Sequence, residues 1–342
     1  MTMGTSDAYP RTPPMTAALA AENRAQQRRR RPVTALVLAV VVLAGASLSS
    51  ASAAWGAGSL VSWGDDGPVS GTPTGSSFTA VAAGYAHSVA LRSDGTLVSW
   101  GYDNRGQVSN TPTGNSFIAV AAGSEHSVAL RSNGSLLSWG RSSEGQVSDT
   151  PLGKGLFAAV DAGGFHSVAL GRDGSLVSWG GDFFGQVSRT PTGDFTAVAA
   201  GDGHNVALRR DAPGGEIPGL VSWGTNEYGL VSGTPPGPSF SFTAVAAGWV
   251  HSVALRSDGT LVSWGRNVEG QVSGTPTGGS FTAVAAGTAH SVALRSNGTL
   301  VSWGSDIRGQ VSNTPTGSSF TAVSAGGLYS VAIQQTDREE CC

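Results

Sequence analysis

The sequence predicts an all-β protein, a seven-bladed β-propeller closed by pairing of its N- and C-terminal strands. Three observations predict it. A unit of about 39 residues recurs seven times from residue 59 onward. Each unit contains short runs rich in Val, Phe, Trp and Thr separated by glycine-containing turns, and 50 of the 342 residues are Gly. The array also begins and ends in complementary halves of one hairpin: Leu60-Val61-Ser62-Trp63 is a second strand without a first, and Ser330-Val331-Ala332-Ile333 a first strand without a second. Pairing them completes the seventh unit and removes two exposed edges. An open solenoid is the alternative architecture, but it requires polar capping repeats and none is visible.

The leader comes first in the chain. Arg28 to Arg31 precede an apolar run from Val33 to Leu48 and a small-residue stretch, Ser49 to Ala54, in which Ala51-Ser52-Ala53 fits the A-x-A rule. Residues 1–54 read as a leader with a secretory signal peptide cleaved near Ala53 or Ala54, or in the other reading a signal anchor. The apolar run falls short of the roughly 20 residues that span a bilayer, which favours cleavage. The expected place of the protein is therefore secreted or at the cell surface, with membrane association only if the leader stays uncleaved.

Residues 55–336 form the propeller and 337–342 a tail. Along each unit the text runs Phe-Thr-Ala-Val-Ala-Ala-Gly, two variable residues, His-Ser-Val-Ala-Leu-Arg, a turn, Leu-Val-Ser-Trp-Gly, a variable stretch, then Gly-Gln-Val-Ser and Thr-Pro-Thr-Gly. The tryptophans are Trp63, Trp100, Trp139, Trp179, Trp223, Trp264 and Trp303, and the histidine position holds His87, His126, His166, His204, His251, His290 and finally Tyr329. Asp94-Gly95, Asn133-Gly134, Asp173-Gly174, Asp258-Gly259 and Asn297-Gly298 predict hairpins with tight primed turns. One hairpin departs: His204 and Trp223 are 19 residues apart where five others have 13, the excess lying in Asp211–Gly219. Such insertions are cheap and usually just tolerated.

Charge excludes some functions. The leader holds six arginines against Asp7 and Glu22, leaving 14 basic and 21 acidic residues in the body, where Lys154 is the sole lysine. That is no footprint for a phosphate backbone, so no nucleic-acid partner is expected. Cys341 and Cys342 end the chain and cannot staple the fold. The histidines occupy one equivalent place per unit, which holds them apart rather than around one ion, so they read as structural hydrogen-bonding groups and neither metal nor cofactor is expected. No nucleophile elbow, phosphate loop or metalloprotease motif occurs, and the chain reads as a non-enzyme.

The unit Ala-Gly-x-x-His-Ser-Val-Ala-Leu-x-x-Asp-Gly-x-Leu-x-Ser-Trp-Gly-x-Asn-x-x-Gly-Gln resembles the regulator-of-chromosome-condensation repeat, and the resemblance covers residues 59–335. It implies a seven-bladed propeller. Gly-Gln-Val-Ser stands where the family more often has Gly-Gln-Leu-Gly, Gly67-Pro68-Val69 and Gly229-Leu230-Val231 lack the glutamine, and Tyr329 replaces His. The short units look most like secreted bacterial members such as β-lactamase inhibitory protein type II, a propeller that blocks an enzyme by binding it. The same resemblance also includes guanine-nucleotide exchange factors.

Residues identical in all units serve the fold, so variable ones are free for function. Two windows vary most, the pair after Ala-Gly and the stretch after Trp-Gly, and both fall at the blade end opposite the turn. Of 25 aromatic residues, 14 are the repeated Trp and Phe, and seven of the other 11 lie in these windows: Tyr85, Tyr102, Phe165, Phe183, Phe184, Tyr228 and Trp249. Asp202, Glu125, Glu269, Arg105, Arg141, Arg266 and Arg308 accompany them. Aromatics and Arg together are the usual makings of binding hot spots. The expected function is that of an exported, monomeric propeller that binds a protein or cell-surface macromolecule through this face, enzyme inhibition being the sharpest form. A secreted enzyme acting on polysaccharide and an exchange-type regulator are the alternatives, and packing of these aromatics on neighbouring blades is the bland one.

Overall fold

A computed structural model describes residues 57–153, 155–210, 219–236 and 241–335. The expected signal segment with its cleavage site, Lys154, residues 211–218 of the Asp211–Gly219 insertion and the cysteine tail lie outside the described residues. Seven three-stranded antiparallel sheets make up the fold. Blades 1 to 6 follow the chain at 78–101, 117–140, 157–180, 195–224, 242–265 and 281–304. Blade 7 joins Phe320–Ala325 and Tyr329–Gln334 to Ser59–Gly64, with Leu60 opposite Ile333 and Trp63 opposite Ser330. The ring is thus closed by the strand pairing that its two ends predict, and the solenoid alternative is excluded. No helix among the described residues is long and apolar enough to cross a membrane.

Within a blade the Phe strand is innermost: neighbouring Phe strands touch, and their ends line the axis. The His strand lies in the middle and the Trp strand outside, in register His87 to Gly101 and Leu91 to Leu97. Each Phe strand carries a bulge after its first residue, between Phe78 and Ala80 in blade 1. Alternation then gives every blade two faces. Ala80, Ala82, Val89 and Leu91 of blade 1 meet Phe117, Val120, Ala122, Ala129 and Trp139 of blade 2. Small and aliphatic side chains on one face receive the aromatic ones of the next. A buried Trp removes roughly 200 Å² from water, about 5 kcal/mol at 25 cal per Å².

The turns correct one expectation. Gly95 has φ 82°, but Asp94 does not share the left-handed region. Arg92 N donates to Thr96 O and Gly95 N to Arg92 O, both at 2.9 Å, which makes a three-residue loop with a glycine bulge rather than a two-residue primed turn. The physical reason is the carboxylate: Asp94 Oδ1 accepts from Thr96 N at 2.9 Å and Thr96 Oγ1 at 2.7 Å, a local bridge that holds Asp94 on the right-handed side.

Three rings of contacts stitch blade to blade. The first is glycine. A Cβ on Gly84 would collide with Gly123 O, one on Gly123 with Gly163 O, and so on through Gly163, Gly201, Gly248 and Gly287 to Gly326, which meets Gly84 O and closes the circle. Close approach of the next blade's carbonyl, not positive φ, demands glycine here. The second ring is imidazole. His87 Nε2 lies 2.8 Å from Ser127 Oγ, and the pattern runs on to His290 and Ser330. In blade 3 the partner is Asn205 Oδ1, whose amide is oriented by its own donation to Gln186 O, so the proton of His166 sits on Nε2. Burial holds all six imidazoles neutral, at about 3 to 4. The expected structural hydrogen bond is there, and it crosses to the next blade. The third ring is indole: Trp139 Nε1 donates to Gln107 O at 3.0 Å, with equivalents at Trp63, Trp179, Trp223, Trp264 and Trp303.

Candidate functional site

Both variable windows come to the same end of each blade because His87 pairs with Gly101, and Tyr102 N then donates to Ala86 O at 2.9 Å. The first window rings the axis. Its leading residues, Tyr85, Ser124, Gly164, Asp202, Trp249, Thr288 and Gly327, line an axial pocket of about 80 Å³ with the glycine ring and Asp161. Backbone bonds fix this mouth: Tyr85 N donates to Gly123 O and Trp249 N to Gly287 O, both at 3.2 Å.

The second window forms the outer rim, and its backbone is pinned by its own polar side chains. Asp103 Oδ1 accepts from Val108 N and Ser109 N, and Gln107 Oε1 accepts from Arg105 N at 2.8 Å. Asp182, Asn226, Asn267 and Asp306 repeat the first arrangement and Gln146, Gln186, Gln271 and Gln310 the second. A loop held this way presents side chains at low ordering cost.

The aromatic residues expected at the site share the face but fall into separate groups. Tyr85 and Trp249 meet edge to face at 5.2 Å, although they belong to blades 1 and 5, so they meet over the axis. Phe165 and Phe183 pack edge to face at 6.3 Å in blade 3, with the Arg141 guanidinium 4.8 Å over the Phe165 ring. Phe184 reaches blade 4, lying where a Cβ on Gly203 would stand. Tyr228 lies under Arg266 at 5.7 Å. Tyr102 has no ring contact among the described residues. Packing on neighbouring blades therefore accounts for part of this set, yet Phe183 remains 65% exposed and only Phe165 is less than about a third exposed. The charges of the rim are internally matched: Arg141 pairs with Glu125 and Glu144 at 2.9 Å each, Arg266 with Glu269 at 3.1 Å, and Arg308 with Asp65 at 3.9 Å.

Sequence reasoning passed over four residues. Val268 and Ile307 stand at 74% and 73% exposure on the rim, at the place of Phe183, and a count restricted to aromatics could not include them. Asp161 and Thr288 line the mouth. A signal for Asp161 did exist, since the equivalent residues are Ala82, Ala121, Ala199, Ala246, Ala285 and Ser324. Its two oxygens accept from Ala162 N at 2.9 Å and Ala200 N at 2.8 Å, and burial pushes its carboxyl up to about 7. Among the described residues no group of His, Cys, Asp and Glu could hold a metal ion.

The regulator of chromosome condensation (RCC1) repeat model matches residues 78–107, 117–146, 157–186, 242–271 and 281–310. Among solved structures the chain is similar to Prp20p from Saccharomyces cerevisiae, described with its binding to Gsp1p and histones. The identity is 21%, covering 87% of this chain and 96% of that one, with a TM-score of 0.69. It is also similar to yeast RCC1 (Prp20) bound to Kap60, at 21% identity, 87% and 94% coverage and a TM-score of 0.67. The ectodomain of the receptor kinase CR4 from Physcomitrella patens matches at 23% identity over 76% of this chain and 71% of that one, TM-score 0.64. No curated protein matches the chain. Five of the seven units match the RCC1 repeat, and all seven fold into the propeller architecture that these solved structures share.

Proposed function

We propose that the protein is an exported, monomeric, non-catalytic propeller that binds a macromolecular partner through the window face. The single observation that carries this reading is a division of labour among aromatics. The repeated Trp and Phe are buried between blades, whereas Tyr85, Tyr102, Phe183, Phe184, Tyr228 and Trp249, with Val268 and Ile307, stand exposed on one end of the ring. Their loops are pinned by their own hydrogen bonds, and clustered exposed apolar groups of this kind serve interfaces. Export rests on the leader, with cleavage near Ala53 or Ala54. That Prp20p is described as binding Gsp1p and histones supports protein binding as a use of this fold. Enzyme inhibition in the manner of the secreted bacterial propellers is the sharpest form.

The test is affinity capture with the full chain, including a β-lactamase panel, beside a variant carrying Tyr85→Ala, Phe165→Ala, Phe184→Ala and Trp249→Ala and shown to fold by its thermal transition. A partner held by the parent and lost by the variant is the expected result. Equal capture by both overturns the assignment of the face, and turnover of soluble polysaccharide by the purified chain overturns the non-catalytic reading.

A further inference from the structure

The axial mouth contains two carboxyls that the repeat pattern does not call for: Asp161, whose oxygens accept from Ala162 N and from Ala200 N of the next blade, and Asp202. Six blades build the strand position of Asp161 with alanine or serine, and the place of Asp202 is filled elsewhere by Tyr85, Ser124, Gly164, Trp249, Thr288 and Gly327. The repeats act as an internal control: neither position requires an acid in order to fold. Withdrawing a carboxylate from water costs stability unless a cation or strong donors compensate. No Arg, Lys or His lines this pocket, and no ion pair among the described residues includes Asp161 or Asp202.

The other walls complete the chemistry. The Asp202 Oδ1 occupies the space that a Cβ on Gly164 would fill, so its carboxyl stands at the mouth, where burial raises its pKa. Trp249 and Tyr85 stand over the axis with ring centroids 5.2 Å apart. An aromatic face attracts a cation electrostatically, and an adjacent carboxylate neutralises it. The pocket, of about 80 Å³, is large enough for a small polar head group.

From the binding-face reading, on which this rests, we propose that the axial mouth receives one organic cation, the ammonium or guanidinium end of a lysine or arginine side chain from the protein partner. The Tyr85–Trp249 pair covers the head group, and Asp202 is its counter-charge. Asp161, its carboxyl raised to about 7 by burial, adds negative potential to the wall above that pH. The rim apolar groups then surround one central charged anchor.

The experiment uses n-butylammonium as probe and n-butanol as its neutral match, titrated into the full chain at constant ionic strength while the indole N–H resonances are followed by ¹⁵N-correlated NMR. The Trp249 signal is assigned with Trp249→Phe. A saturable shift of that signal by n-butylammonium alone is expected, weakened tenfold or more by Asp202→Asn and unchanged by Asp194→Asn on the opposite face. Asp161→Ala restores the residue of five other blades, so it keeps the fold, and it is expected to weaken binding several-fold. An equal response to n-butanol, no saturable shift, or undiminished binding by both Asp202→Asn and Asp161→Ala overturns the proposal. If the probe fails while partner capture still depends on Tyr85 and Trp249, the cation assignment falls and the binding face stands. If the probe binds but capture ignores the four-alanine variant, the face falls and the cation site stands.

Discussion

The seam between blades 5 and 6 and the seam between blades 7 and 1 solve one geometric problem with different residues. At the regular seam His251 Nε2 reaches Ser291 Oγ at 2.7 Å, Trp303 Nε1 donates to Gln271 O at 3.0 Å, and Gly248 makes way for Gly287 O. At the closing seam Tyr329 takes the histidine's place. Its hydroxyl donates to His87 O at 2.6 Å and lies 2.7 Å from Ser88 Oγ, which as the remaining hydroxyl donates to it. Ser324 Oγ adds an acceptor for Ala83 N at 3.0 Å. The indole link, however, is missing. The loop after Trp63 is two residues shorter than that after Trp100 and folds into the helix Asp66–Val69, and Trp100 Nε1 is buried without an acceptor. The closing seam keeps the apolar interdigitation and the glycine approach while its imidazole link is replaced and its indole link is absent.

The closing strand is the most sensitive point of that comparison. Removing residues 1–64 strips the partner from Tyr329–Gln334 and deletes buried Leu60 and Trp63. A fall in Tm of roughly 10 °C or more is expected, with self-association seen by size-exclusion chromatography through the bared edge. Removing residues 1–56 alone is the control, and equal behaviour of the two truncations breaks the account of closure.

Acid comes next. Six histidines have folded pKa values of about 3 to 4 against 6.5 unfolded, so between those values the unfolded chain binds the protons. Their contribution is present in full above pH 6.5 and is lost as pH falls toward 4. The slope grows to about 1.4 kcal/mol per pH unit for each histidine. Asp161, with a pKa raised to about 7, acts in the opposite sense between 7 and 3.8, but as one group against six. Urea midpoints should fall steeply from pH 7 to pH 5, and a flat profile would remove the neutral imidazole ring from the explanation.

A smaller effect belongs to the substituted link itself. Tyr329→Phe leaves His87 O and Ser88 Oγ buried without the phenol, at a cost of about 1 to 3 kcal/mol in chemical denaturation. The smallest effect sharpens the contrast most. Trp179→Phe and Trp100→Phe lose the same packing, but only the first strands an acceptor, Gln146 O, so it should cost about 1 to 2 kcal/mol more than the second, whose N–H has no acceptor. Equal losses in the two variants would show that the indole bonds contribute nothing specific.

Much of this molecule was legible in its text, and the reason is repetition. Seven copies of Trp, Phe and Gly mark what each blade needs, and the split hairpin at Leu60–Trp63 and Ser330–Ile333 states the closure outright. The shared face of the two windows followed from strand direction alone. The turn type was misread because Asp-Gly suits both a primed turn and a glycine-bulged loop, and the choice depends on the hydrogen bonds of Asp94 with Thr96.

Local pattern and chemistry thus determined blade number, strand order, ring closure and the end of the ring that is variable, since each depends on residues within one unit or on the register of two matching strands. Only the tertiary structure decided the rest. The partner of each histidine sits about 40 positions away on the next blade, each glycine is required by a carbonyl of a different unit, and Tyr85 meets Trp249 across four blades. Such contacts depend on the radius at which seven sheets pack, and no periodicity within one unit encodes that radius.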